Sequence, residues 1–154
     1  MALTLITISV IVNAEPRLIY DGPQGIDVVF KRCYVHGESC IMDFLVTNNT
    51  RSDIKIGVIP SDVLAYDDEG NMYNHHMISE KFGEHQCGAI NYSYNLFEME
   101  MPREISLKLQ CQISNFDEYA AIIKSIKIAL SVRLPNQPFY NTYLQAKDIP
   151  VTRE

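Results

Sequence analysis

The chain has 154 residues, 47% of them hydrophobic and 21% charged, and carries a formal net charge of −6. That length fits one domain able to bury its own core without a metal or disulfide framework, and the composition excludes extended disorder. With no cluster of Lys or Arg, the acidic chain lacks the positive footprint that a nucleic-acid backbone or an anionic bilayer surface requires, so neither is an expected partner.

In chain order, the first feature is the apolar run Leu3–Val12, followed by the small-residue stretch Val12-Asn13-Ala14. Ten residues are too few to span a bilayer, which takes about 20, so stable membrane insertion is not expected. Two readings fit the run. It is the remnant of a signal peptide, which would start the mature protein near Glu15 and place it outside the cytoplasm as a secreted or periplasmic protein. Alternatively, its Ile, Val and Thr make a first strand, and a cytoplasmic location stays open. A basic segment, expected ahead of a signal-peptide core, is missing. Residues 15–154 then read as a single domain.

From Asp27 onward, alternation of period two dominates the chain and predicts strands. Asp27–Val35 is one. Ser39–Asn48 is a clearer one, with Cys40, Met42, Phe44 and Val46 on one face. Shorter strands are expected at Ile54–Ile59, Asp62–Tyr66, Asn71–Met77 and Ala89–Phe97. Ile105–Ser114 sets Ile105, Leu107, Leu109, Cys111 and Ile113 against Ser106, Lys108, Gln110 and Gln112. Asn115-Phe116-Asp117-Glu118 has the spacing of a helix capping box, which predicts one or two helical turns ending near Ser125. Ile126–Leu134 alternates again, and Tyr143–Ile149 closes the set. Gly-, Asn-, Asp- and Pro-containing turns separate these segments. Many short one-sided strands broken by turns predict an all-β, antiparallel two-sheet sandwich with one short helical connection.

The residues suited to chemistry are few. Cys33 and Cys40 flank the His36-Gly37 turn. A two-residue loop at His36-Gly37 sets them face to face, and one at Gly37-Glu38 leaves them diagonal on the same face. A cross-strand disulfide and two buried thiols both fit. Cys87 and Cys111 either pair or serve as core. His76 (or its neighbour His75), His85 and Cys87 have side chains that bind zinc or copper, although adjacent strand residues point to opposite faces. Asp67-Asp68-Glu69-Gly70-Asn71 has calcium-like oxygen spacing, yet a hairpin turn explains the same residues. Asn48 and Asn91 stand in glycosylation sequons. Every Asp and Glu reads as a turn or outer-face residue, so no carboxylate pair can be nominated for glycoside chemistry. No nucleophile elbow, zinc-protease helix or phosphate-cradling glycine loop occurs. An enzyme is not expected, nor is any cofactor. Phe139, Tyr140, Tyr143, Tyr92 and Tyr94 are the candidate interaction residues, because tyrosine is enriched at binding hot spots.

The run Phe44-Leu45-Val46-Thr47-Asn48-Asn49-Thr50, followed by Val63 to Tyr73 with its D-x-x-G-N-x-Y turn, resembles a broad group of bacterial secreted immunoglobulin-like domains. The resemblance covers about half the chain and implies an extracytoplasmic β-sandwich without catalysis. It transfers no functional residues. The chain is therefore expected to be an interaction or accessory module for a protein or surface-glycan partner, with metal binding at His76, His85 and Cys87 as the alternative.

Overall fold

The structure is a computed structural model and describes residues 15–153. The two readings of residues 3–12, leader and strand, concern a segment outside the described residues. Twelve strands make up the described chain: β1 Arg17–Tyr20, β2 Ile26–His36, β3 Ser39–Asn48, β4 Ile54–Asp67, β5 Met72–Tyr73, β6 Ile78–Phe82, β7 His85–Gly88, β8 Phe97–Met101, β9 Ser106–Ile113, β10 Ile122–Arg133, β11 Tyr140–Pro150 and β12 Thr152–Arg153. They form two six-stranded sheets. Sheet A runs β1-β11-β10-β4-β5, with β8 also paired to β4; sheet B runs β12-β2-β3-β9-β6-β7. Neighbouring strands are antiparallel except β12, which lies parallel to the end of β2 and pairs Thr152 with Tyr34 and Arg153 with Val35.

The alternation read from the sequence is what closes the sandwich. Cys40, Met42, Phe44 and Val46 on β3, Leu109, Cys111 and Ile113 on β9, and Ile126, Ile128, Leu130 and Val132 on β10 are all fully buried in one core shared by the two sheets. Successive side chains on a strand point to opposite faces, so the residues between them form the outer faces.

Four local expectations need correction. The predicted helix over Asn115–Ser125 is absent, and no helix occurs among the described residues. Asn115 has φ 52°, a left-handed conformation unlike the extended one that a helix cap adopts. Donors that a helix would use are taken elsewhere: Asp117 N–H donates to the Tyr73 hydroxyl, and Ala121 and Ile122 N–H donate to Asp68 Oδ1. The chain is thereby handed into β10 at Ile122. Second, Ile54–Ile59 and Asp62–Tyr66 are one strand. β4 runs through Pro60 because the ladder to β10 slips between Ile128 and Leu130, and a bulge tolerates a residue that cannot donate. Third, Ala89–Phe97 is not a strand. Gly88 (φ 89°) and Tyr92 (φ 56°) turn the backbone, Ser93 makes only an isolated bridge back to Gly88, and a strand resumes at β8. Fourth, the Asn71–Met77 strand shrinks to Met72–Tyr73.

Candidate interaction surface

β4, β8, β10 and β11 present the outer face of sheet A. The register sets Tyr143 beside Ala129, Lys127 beside both Gln145 and Leu64, and Tyr66 beside Ser125. On this face Lys127 Nζ lies 4.0 Å from the centre of the Tyr143 ring, a cation–π contact. The Tyr143 hydroxyl donates to Asp62 Oδ2 at 2.8 Å, and this hydrogen bond raises the phenol pKa. Further along the same face, the Arg133 guanidinium stands 5.6 Å over Phe139 and pairs with Glu98 at 3.4 Å, while Ser131 Oγ donates to the same carboxylate at 3.1 Å. Tyr66 is 43% exposed on this face. Two aromatic rings, Tyr143 on β11 and Phe139 just before it, thus each lie against a cation on this face. Such a surface can stack on and hydrogen-bond to a partner with little ordering cost.

The structure divides the five aromatics nominated from sequence. Phe139 and Tyr143 share the outer face just described. Strand alternation sends Tyr140 the other way, to the end of the sandwich, where it is half exposed. Tyr92 and Tyr94 lie on the loop between β7 and β8; Tyr92 is 84% exposed, and Tyr94 packs edge-on against His75 and His76. Sequence reasoning missed Lys127, Arg133 and Asp62. The two cations were legible as outward positions of an alternating strand, but their seats over aromatic rings depend on which strand lies alongside.

The histidines and Cys87 are not brought together. Because β5 ends at Tyr73, His75 and His76 sit in a turn with their rings side by side at 4.0 Å, rather than on opposite strand faces. His85 stacks on Phe97 at 3.4 Å, and the buried Cys87 thiol donates to the Glu80 backbone carbonyl. Among the described residues, no three His, Cys, Asp or Glu side chains are placed to hold a metal ion.

The oxygen-rich turn is a closed corner. Asp67 Oδ1 accepts from Glu69 and Asn71 N–H, and its Oδ2 accepts from Asn71 Nδ2 and the Tyr73 hydroxyl. Burial works against its ionisation, but those donors outweigh it and hold its pKa below the ordinary value. The chain's own donors therefore occupy the lone pairs a calcium ion would need. Asn48 is likewise committed. It is fully buried, with its amide donating to the Ser52 and Met101 carbonyls and its oxygen accepting from Thr50, so it cannot be a glycan acceptor. Asn91 is the exposed member of the two sequons.

The expectation that every carboxylate lies in a turn or on an outer face is wrong at Glu80, and two others that meet it are nonetheless buried. Asp67 has its turn but is buried in it. Asp43 is 1% exposed under Arg32 and Gln110, at 2.6 and 2.8 Å. Glu80 is 1% exposed on the inner face of sheet B, and neither carboxyl oxygen has a hydrogen-bond partner. Desolvation raises its pKa to about 8. The two registers of β6 place it directly between Cys111 on β9 and Cys87 on β7. None of the three carboxylates adjoins a nucleophile and base in an open cleft.

No family model and no curated protein sequence matches the chain. Among solved structures, the crystal structure of ACE19, the collagen-binding subdomain of the Enterococcus faecalis surface protein ACE, is similar at 12% identity over 86% of this chain and 98% of its own, with a TM-score of 0.33. At that score nothing is carried over from it. No helix among the described residues is long and apolar enough to cross a membrane.

Proposed function

We propose that this chain is a non-enzymatic β-sandwich module that binds a protein partner outside the cytoplasm through the outer face of sheet A. The observation that carries the reading is the pair of cation-braced rings, Tyr143 under Lys127 and Phe139 under Arg133, on a sheet face with no other assigned use. Aromatic and arginine side chains dominate the energy of protein interfaces, and rings already fixed in place lose little entropy when bound. The test compares the wild-type chain with the Phe139→Ala/Tyr143→Ala double variant, both immobilised and exposed to extracts of the surface of its own source. Partner recovery is expected to fall at least tenfold at an unchanged fold, while Tyr140→Ala, on the opposite face, leaves it intact. Equal recovery by wild type and the double variant would sink this reading. Recovery that survives protease but not glycosidase treatment would replace the protein partner with a surface glycan.

A further inference from the structure

We propose that Cys33 and Cys40 form a redox pair, which thiol–disulfide exchange converts to a single cross-strand disulfide while Cys87 and Cys111 remain thiols. The β2–β3 register pairs Cys33 with Met42 and Val35 with Cys40, so the loop is Gly37-Glu38 and the two cysteines lie diagonally on one face. Diagonal neighbours ordinarily lie about 7–8 Å apart, and the bulge between Phe30 and Arg32, a feature that increases local twist, lies just before Cys33. The two sulfurs lie 3.5 Å apart, both buried. A disulfide needs about 2.05 Å, so roughly 1.5 Å of approach remains, shared between two side chains.

The other pairing expected from sequence is blocked by topology. Cys87 and Cys111 lie on β7 and β9, with β6 between them, and Glu80 faces both. Strands two apart in a sheet are separated by about 9.5 Å, beyond the roughly 7 Å between Cα atoms that a disulfide tolerates. Cys111 is also diagonal to Cys40 across β3 and β9, but Cys40 makes its sulfur contact with Cys33.

Access favours the same pair. Cys33 lines a groove of about 960 Å³ along the open side of the sandwich, between Leu18 on β1, Phe30 on β2 and Thr152 on β12. The hydrogen bond with Cys40 and burial both raise the Cys33 pKa. Because the thiolate is the attacking form, exchange proceeds from Cys33, the sulfur that lines the groove. With a small disulfide as oxidant, the Cys33 thiolate attacks one of its sulfurs and expels the other as a thiolate. The Cys40 thiolate then attacks the Cys33 sulfur of the mixed disulfide and expels the second. Two protein S–H bonds and the oxidant's S–S bond are lost, one protein S–S bond forms, and two electrons pass to the oxidant, which leaves as two thiols. The product locks the hairpin that holds β2 at the side of sheet B.

The test equilibrates the full chain with oxidised and reduced glutathione, traps the remaining thiols by alkylation, and maps them by mass spectrometry. Trypsin leaves Cys33 and Cys40 together in peptide 33–51. That peptide is expected to be 2 Da light and unalkylated, with alkyl groups on Cys87 and Cys111. Cleavage after Glu38 should leave its two halves joined until reductant is added. The oxidised chain should melt roughly 5 °C above the reduced one, a difference that Cys40→Ala abolishes and Cys87→Ala leaves in place. Four alkylated thiols, glutathione adducts alone, or any bond to Cys87 or Cys111 would overturn the proposal. Because the mapping is done on the wild-type chain, it stands even if a variant fails to fold.

Discussion

Glu80 is the residue whose chemistry is least compatible with where it sits. In the unfolded chain it titrates near the ordinary value of 4.5, whereas in the fold it holds its proton to about 8. Between those values the unfolded state has released a proton that the folded state keeps. Stability should therefore fall as pH rises from about 4.5 to about 8, by up to roughly 1.4 kcal/mol per pH unit, and level off above that. Urea unfolding across this range should show the slope in wild type and lose it in Glu80→Gln; an identical slope in the variant would assign the titration to another group. Asn48 is the opposite case, a buried polar residue with every hydrogen-bonding group used. Asn48→Ala removes a donor from the Met101 and Ser52 carbonyls and the acceptor of the Thr50 N–H, and should cost about 2 to 3 kcal/mol in the same assay. Neither residue was legible from sequence. A glutamate in a short segment reads as solvent-facing, and an asparagine in a sequon reads as a turn, because both expectations rest on residue type, whereas burial is decided by neighbouring strands.

Among the elements, those defined by long alternation were the readable ones. Ser39–Asn48 was predicted to the residue, since Cys40, Met42, Phe44 and Val46 alternate along it and mark one face to bury. The helix before β10 failed because its pattern was only four residues long and the competing acceptors, Asp68 and the Tyr73 hydroxyl, come from a corner some fifty residues earlier. β8 was missed for a related reason: its seat depends on a single glycine of β4. A Cβ at Gly57 would lie 1.6 Å from the Phe97 carbonyl oxygen, inside the backbone of β8. Gly57→Ala should displace β8, separate Glu98 from Ser131 and Arg133, and lower stability by more than about 2 kcal/mol. Amide exchange should reveal this as lost protection over Phe97–Met101 while β10 and β11 stay protected. Uniform loss across sheet A would instead mean that β8 is integral to the whole sheet.

At the scale of the molecule, the sequence supported two one-sided sheets but not their order, since period two tells which face a residue occupies and nothing about which strand lies beside it. That order decides the candidate surface. Tyr143 and Lys127 are 16 positions apart, and Asp62 is 81 positions from Tyr143, yet the three meet because β10 is flanked by both β4 and β11. The same order makes the fold slow to assemble. β1 pairs with β11 and β4 with β10, so most of sheet A waits on closure of long loops. Refolding from urea, followed by tyrosine emission in a chain without tryptophan, should take milliseconds to seconds. Completion within microseconds would contradict a transition state built on these distant pairings.

The corner at Asp67 also bears on what its sequence signature can mean. Each defining position of its D-x-x-G-N-x-Y signature answers to a geometric demand within the turn: an acceptor for four donors at Asp67, a left-handed backbone at Gly70, and a phenol reaching back at Tyr73. A chain that shares these letters thus shares a bend, whatever it binds. What the letters do not hold is the corner's tie to the segment that leads into β10, where Asn71 donates to the Asp117 carboxylate and the Asp117 N–H donates to the Tyr73 hydroxyl.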